Sequence, residues 1–316
     1  MSVTVDQAWV YRFHDQLLLT YQQMGSLLQN TIEPENVHRD VSAAIDHFDR
    51  LGNVIANDVV IPFGQTVILN PPHSRRAITL QSVDAAVLVS DEHTLRSMIN
   101  PQNAYTRTIA FALGRRADKF IIDAAVGSAT TAAVTPGSGV ITYGTTALPS
   151  TQKLGTGIAI TLTNIIAVNE IMSKAGVPYG PSKRKIAYGP GQIRDILAIT
   201  QASSSDFTKN QIHDRGTING LSWEGLDWIE IPDVVREDAT TILQRMLPLS
   251  TGGLTGRGVI AFANDAIGLS IGRPDGPPKI NERPDLNNSI QVRQVLMQQA
   301  GRLWEGGVVQ IDVLEN

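Results

Sequence analysis

Asn100-Pro101-Gln102-Asn103-Ala104-Tyr105-Thr106-Arg107-Thr108-Ile109-Ala110-Phe111-Ala112-Leu113-Gly114-Arg115-Arg116-Ala117-Asp118-Lys119-Phe120-Ile121-Ile122-Asp123-Ala124-Ala125-Val126-Gly127 reads as one long capped helix. Asn100 offers a capping oxygen, and Pro101 suits a first helical turn. Tyr105, Ile109, Leu113, Phe120, Ile121 and Ala124 hold one apolar stripe at helical spacing. Gly127 stops it. The helix predicted over 101–126 would run roughly 39 Å, the width of a domain. A Gly-, Ser-, Thr- and Ala-rich tract follows directly. Such a helix, in a chain without a catalytic motif, points to a building block rather than an enzyme.

Composition agrees with that direction. The chain has 316 residues, 42% of them hydrophobic and only 18% charged. The charged share falls below the usual quarter. A chain that buries much of its outside against neighbours can do with less charge. Net charge is −4, which argues against a dedicated nucleic-acid binder that must neutralise phosphates. There is no cysteine, so disulfides, thiolate catalysis, zinc ribbons and iron–sulfur clusters are excluded. The first residues carry no basic start followed by an apolar run, so no secretory signal is read. No stretch approaches the ~18 apolar residues that span a bilayer, and no membrane partner is expected.

Working outward from the helix, residues 4–28 are also predicted helical. Val5, Trp9, Phe13, Leu17, Met24 and Leu28 form its apolar stripe. The helix could pack on its own core or lie as an arm on a neighbouring subunit. From Glu33 to Val89 the pattern turns β-branched and alternating, punctuated by Pro34, Gly52, Pro62, Gly64, Pro71 and Pro72. Strands are predicted over 54–61, 65–69 and 76–80 in a long hairpin, with Phe63-Gly64-Gln65 at a turn. A two-stranded excursion is marginal alone and must lean on its own body or a partner. Residues 127–157 read as a weak hairpin or flexible loop around Val140–Tyr143. Downstream, helices are expected over 162–175 and 190–199. Strands are expected over 184–187, 226–231, 259–262, 290–297 and 308–313, with 263–269 a short helix or strand. Loops are expected at 201–220 and 251–258. The class is α+β, without the βαβ rhythm of a doubly wound sheet.

Motifs for chemistry are missing. No Gly-Lys pair exists, which excludes a P-loop. Gly155-Thr156-Gly157 and Gly189-Pro190-Gly191 each lack the third glycine of a dinucleotide fingerprint. No G-x-S-x-G elbow appears. The six histidines form no H-x-x-x-H pair, so no metal or cofactor is expected. Arg115, Arg116 and Asp118 on the long helix read either as a solvated face with local ion pairs or as inter-subunit pairs. Lys183-Arg184-Lys185 reads as solvated charge flanking a strand, and Trp223 and Trp228 as core or interface anchors.

Taken in order, these elements resemble the major capsid proteins of tailed bacteriophages, the HK97-like fold. The resemblance assigns residues 1–34 to an N-terminal arm and 35–85 to an extended hairpin, the E-loop. Residues 86–154 become a peripheral domain with spine helix 101–126. Residues 155–262 become an axial domain, and 263–316 the return to the peripheral domain. The run Arg115-Arg116-Ala117-Asp118-Lys119-Phe120-Ile121-Ile122-Asp123-Ala124 resembles the family's helix body. The ending Ala300-Gly301-Arg302-Leu303-Trp304-Glu305-Gly306-Gly307-Val308-Val309-Gln310-Ile311 resembles the closing strand of short-tailed, T7-like coat proteins.

The resemblance implies a structural coat protein that self-assembles into hexamers and pentamers of an icosahedral shell around double-stranded DNA. The implied location is the virion capsid, assembled in the host cytoplasm. It implies a portal, a possible decoration protein and weak non-specific contact with packaged DNA. Candidate inter-subunit contacts are Trp9, Phe13, Leu17, Phe63, Arg75, Arg76, Arg115, Arg116 and Asp118. Two departures matter. The first lysine of the chain is Lys119, so the E-loop holds no amine for a covalent weld, and a non-covalent shell is expected. Some members of the fold carry a long helical N-terminal scaffold that is later cleaved; the resemblance finds no room for one before the hairpin here, which implies a separate scaffolding protein. A bacterial encapsulin shares the fold and is the nearer rival; an α+β enzyme with an unrecognised site is the other.

Overall fold

The computed structural model describes residues 25–58, 65–66, 68–89, 102–134, 138–199, 217–232, 247, 256–272, 279–287 and 289–314. The fold is α+β, with many strands and few helices among those residues. In chain order the strands begin with β1 (Val37–Val41), β2 (Ile45–Leu51), β3 (His73–Thr79) and β4 (Gln81–Val89). Helix α1 (Gln102–Val126) follows. Next come β5 (Ala129–Val134), β6 (Ile141–Thr146), β7 (Lys153–Ile158), α2 (Leu162–Lys174), β8 (Arg184–Tyr188) and α3 (Gly191–Leu197). The chain closes through β9 (Ser222–Trp223), β10 (Leu226–Glu230), β11 (Gly256–Ala263), β12 (Ile267–Gly272), β13 (Lys279–Arg283), β14 (Ser289–Arg302) and β15 (Val308–Leu314).

Three sheets result. One has the order β1-β12-β14-β13, with β4 also on β14. The second runs β7-β15-β11-β8-β10-β9, and the third β2-β3-β5-β6. Helix α1 joins the first two. Its early residues Ile109 and Leu113 pack on Val83, Ala85 and Val87 of β4 and on Val292 and Leu296 of β14. Those positions alternate along the strands, so they share one sheet face. Its later residues Phe120, Ile121, Ile122 and Ala125 enter the main core beside Ile260, Phe262, Ile267 and Val309. The Gly127 amide closes the helix on the Asp123 carbonyl at 2.8 Å, as the glycine predicts.

Helix α2 starts at the expected cap, where the Thr161 side chain accepts from the Asn164 amide. Trp223 and Trp228 are buried, and Trp228 Nε1 donates to the Trp223 carbonyl at 3.2 Å, so both are core anchors. Between them Glu224 and Gly225 both have positive φ, 51° and 71°, and join β9 to β10 by a two-residue turn. The positive φ favours glycine at 225, and a Cβ there would also displace the Tyr179 ring, 2.3 Å away.

Several expectations need correction. Helix 4–28 does not reach its predicted end: Gly25 has φ 81°, residues 25, 27 and 28 are bends, and a 3₁₀ turn follows at Gln29–Thr31. The described parts of the predicted strands 54–61 and 65–69 carry no strand, because no ladder partner lies beside them. The tract 127–157 takes the hairpin alternative, with β5 paired to β6 along its length, and runs on into β7. Strand β14 continues to Arg302, well past the expected 297, because β12 pairs with Gln298–Arg302. Residues 263–269 form a turn and then β12. The basic run 183–185 is not solvated charge: Arg184 is fully buried, Lys183 pairs with Glu33 at 2.9 Å and Lys185 with Asp227 at 2.7 Å.

Candidate assembly surfaces

The hairpin predicted from the Pro- and Gly-punctuated segment exists as a stem, β2 paired with β3 from Ile45↔Thr79 to Leu51↔His73. The stem leans on its own body. Phe48 and Ile78 pack against Leu303, and Ile78 also fills the space left by Gly301, where a Cβ would come within 2.7 Å of it. Arg76, half of the Arg75-Arg76 pair singled out from sequence, turns inward. Its guanidinium meets Glu305 and donates to the Leu303 carbonyl at 3.4 Å. Arg50 lies over the Trp304 ring, 5.0 Å from its centroid, and burial lowers its pKa. Arg75 turns outward. It sits directly opposite Asp49 and grips both carboxylate oxygens, with Nη2 to Oδ2 at 2.8 Å. That hydrogen bond holds the Asp49 carboxyl below its ordinary range. The pair is open to water and adds little to stability.

Beyond the stem the character reverses. Val54 and Leu69 are exposed, and Ile55 and Ile68 are 85% and 90% exposed. Exposed large apolar side chains close together in sequence are candidates for contact with a partner. Phe63, the aromatic expected at the turn, lies outside the described residues.

The root of the N-terminal segment is strapped to the body. Asp118, expected on a solvated or inter-subunit face, is instead fully buried within its own chain. Its carboxylate accepts from Leu27 N at 2.9 Å, from Leu28 N at 3.0 Å and from the Ser26 hydroxyl. A carboxylate facing the free amides of a 3₁₀ turn is favourable. Leu28 and Ile32 enter the main core, so the last part of the arm assigned to 1–34 packs on its own subunit. Farther on, Glu33 receives Lys183 Nζ and Asn264 Nδ2, and Asn36 Nδ2 donates to the Asp265 carbonyl at 3.0 Å. Trp9, Phe13 and Leu17, upstream of this strap, lie outside the described residues. Asp118→Ala would leave buried amides unpaired and is expected to cost about 2–3 kcal/mol. Limited proteolysis, read by mass spectrometry, checks it through faster cleavage ahead of Leu28.

The two arginines beside Asp118 are placed differently from it. Arg116 is exposed and lies over the Phe120 ring at 4.6 Å, while Arg115 is half-buried with its pKa lowered by burial. Sequence reading missed Arg302. It is buried and bonds the Ala125 carbonyl at 2.9 Å, the Gly127 carbonyl at 2.6 Å and the Thr146 carbonyl at 2.9 Å. It thus caps the C-terminus of α1 and ties it to the end of β6. No local pattern marks it, since all its partners are more than 150 residues away. Among the described residues no group of His, Asp or Glu is arranged to hold a metal ion. No described helix is long and apolar enough to cross a membrane.

A long helix lies on a long-stranded sheet, with the β2–β3 hairpin stem packed beside it. The sequence profile of a family described as phage capsid protein matches residues 5–315. The chain belongs to that family. Its fold is that of solved phage capsids. The capsid of cyanophage P-SCSP1u superposes with a TM-score of 0.68 at 15% identity, covering 100% of this chain and 96% of that one. The head structure of Helicobacter pylori bacteriophage KHP40 gives 0.68 at 9% identity, covering 98% and 97%. A chain of Mycobacterium phage Che8 gives 0.64 at 17% identity, covering 96% of each. No curated protein sequence matches the chain. The capsid family thus accounts for a fold with an HK97-like architecture and for a structural role.

Proposed function

We propose that this chain is the major coat protein of a tailed phage, assembling into pentamers and hexamers of an icosahedral shell around double-stranded DNA. The observation that carries this reading is the family match across residues 5–315. In this reading residues 1–34 are the arm and 35–85 the E-loop. Residues 86–154 and 263–316 form the peripheral domain, and 155–262 the axial domain. Strand β15 sits in the sheet with β8, β10 and β11, so the closing strand would tie the peripheral part to the axial one. The exposed tip around Ile55 and Ile68 would lie on a neighbour, as would Trp9, Phe13, Leu17 and Phe63. Arg75, Arg115 and Arg116 are the charged candidates left near the surface, and Arg76 would act by fixing the stem. Burial of apolar area drives such contacts, and many weak ones held at once suffice.

The absence of lysine before Lys119 supports a shell without E-loop welds. The proposed partners are further copies of the chain, a separate scaffolding protein, a portal and a decoration protein. The T7-like flavour rests on the closing run 300–311. Electron microscopy of the chain expressed with and without a scaffolding protein tests the reading. Closed isometric shells are expected. A compact monomer or dimer under every condition overturns it.

A further inference from the structure

The third sheet is two hairpins joined by a short seam. β2 and β3 pair along their whole length, as do β5 and β6. Between β3 and β5 the ladder consists of Arg76↔Thr131 and Ala77↔Thr130 alone. Beyond that seam Ala132↔Tyr143, Ala133↔Thr142 and Val134↔Ile141 continue as a two-stranded ribbon. Such a ribbon is marginal by itself. Val134, Val140, Ile141 and Tyr143 are exposed on it. Strand β6 also ends the order β2-β3-β5-β6, so among the described residues its outer edge has no ladder partner.

We propose that the edge of β6 pairs with the edge of β6 in a second copy of the chain, antiparallel about a two-fold axis. The inference rests on the coat-protein reading and names a contact by which two copies meet. Native edge strands are guarded against pairing by charge, proline or a bulge. Among the described residues every other edge strand longer than two residues carries charge: Asp40 in β1, Asp49 in β2, Asp84 in β4, Lys153 in β7 and Lys279 in β13. Strand β6 has no such guard. Ile141-Thr142-Tyr143-Gly144-Thr145-Thr146 holds neither charge nor proline, and no charged side chain occurs between Asp123 and Lys153. An edge left bare in this way is a template for an added strand, the mode known as β-augmentation.

The same pattern selects the occupant. A charged edge laid on β6 would set an ionised side chain beside Ile141 and Tyr143, whereas a second β6 brings none. Identical strands in an antiparallel pair also have the self-complementarity that a two-fold contact demands. Centred on Tyr143, the register puts Tyr143 opposite its counterpart, Thr142 opposite Gly144 and Ile141 opposite Thr145. Aromatic side chains directly opposite each other favour a strand pair, and no like charges meet. Ile141 and Tyr143 share one face with Val134, so the apolar side chains of both copies gather on the same side. The joined ribbons make one four-stranded sheet, β5-β6-β6-β5, which no longer has the marginal stability of a lone hairpin.

Charge complementation tests the contact. Tyr143→Lys and Tyr143→Glu should each keep the parent's Tm, because the side chain is exposed. Each alone is expected to give about tenfold fewer closed particles, since like charges set directly opposite destabilise a strand pair. An equal mixture should recover shells, because lysine then meets glutamate across the axis. Normal shells from either variant alone, or no recovery on mixing, overturn the proposal. The chain has no cysteine, so a single introduced one supplies the second measurement. Shells of Tyr143→Cys, once oxidised, are expected to give disulfide-linked dimers and nothing larger on a non-reducing gel. Intact shells that yield dimers from none of Tyr143→Cys, Thr142→Cys and Thr145→Cys, which cover the shifted registers, overturn it. Slowed hydrogen exchange at 141–146 that arises only when a scaffolding protein is added gives the edge to that partner and overturns it too. If the unmodified chain forms no shell at all, the coat reading fails first and takes this inference with it.

Discussion

Arg184→Met is expected to lower stability by about 3–5 kcal/mol, the largest effect of any single change considered. The guanidinium is fully buried, and among the described residues no carboxylate pairs with it. Its five N–H donors instead find the carbonyls of Pro178 at 3.1 Å, Val177 at 2.6 Å and Asn169 at 3.3 Å, Asn169 Oδ1 at 2.9 Å and Ser173 Oγ at 2.9 Å. The cation also lies 5.1 Å from the centroid of the Tyr179 ring. Burial lowers its pKa, yet an arginine keeps its proton, so the hydrogen bonds must offset the lost hydration. Methionine fills the volume and satisfies none of the acceptors. The carbonyls after α2 would be stranded in the interior. Thermal unfolding followed by circular dichroism checks this, and a Tm within a degree of the parent would contradict it.

The second large effect falls on assembly and spares the subunit. Ile55→Asp combined with Ile68→Asp changes two side chains that are 85% and 90% exposed. Exposed substitutions shift folding stability by roughly 0.5 kcal/mol or less. Buried in a contact, each new carboxylate would be desolvated without a partner, at several kcal/mol. The effect repeats at every copy in a shell. The expected result is a folded, soluble chain with the parent's Tm and no closed particles by sedimentation. Normal shells from the double variant would remove the tip from the assembly surface.

Much of the fold was legible because its signals are local. Gly127 ends α1, Thr161 caps α2 and Gly176, with φ 86°, follows it. The strand read over 184–187 and the alternation of 226–231 mark paired strands of the second sheet. What stayed hidden depends on distant partners. Asp118 follows two arginines and precedes a lysine, a pattern that reads as a wet face. Its burial comes from backbone amides about 90 residues upstream. Strands 54–61 and 65–69 have strand-forming composition, and propensity alone could not reveal that their described parts join no ladder. In the opposite direction, Gln298-Gln299-Ala300-Gly301 looks unlike a strand. It becomes one because β12 offers a ladder and Ile78 needs the room at Gly301. The stem's grip on Leu303, Trp304 and Glu305 was not readable, because those partners lie more than 200 residues away in sequence.

The unequal ladders also set how the subunit would respond to mechanical force. Strand β14 meets β4 along the run from Ile290↔Val89 to Gln298↔Gln81. Tension parallel to those strands must break many rungs at once, a shear geometry that resists strongly. The β3–β5 seam has two rungs, which a sideways pull would unzip in turn. Under stretching, the two hairpins of the third sheet would therefore part first, and the slab of α1 on β4 and β14 would yield last.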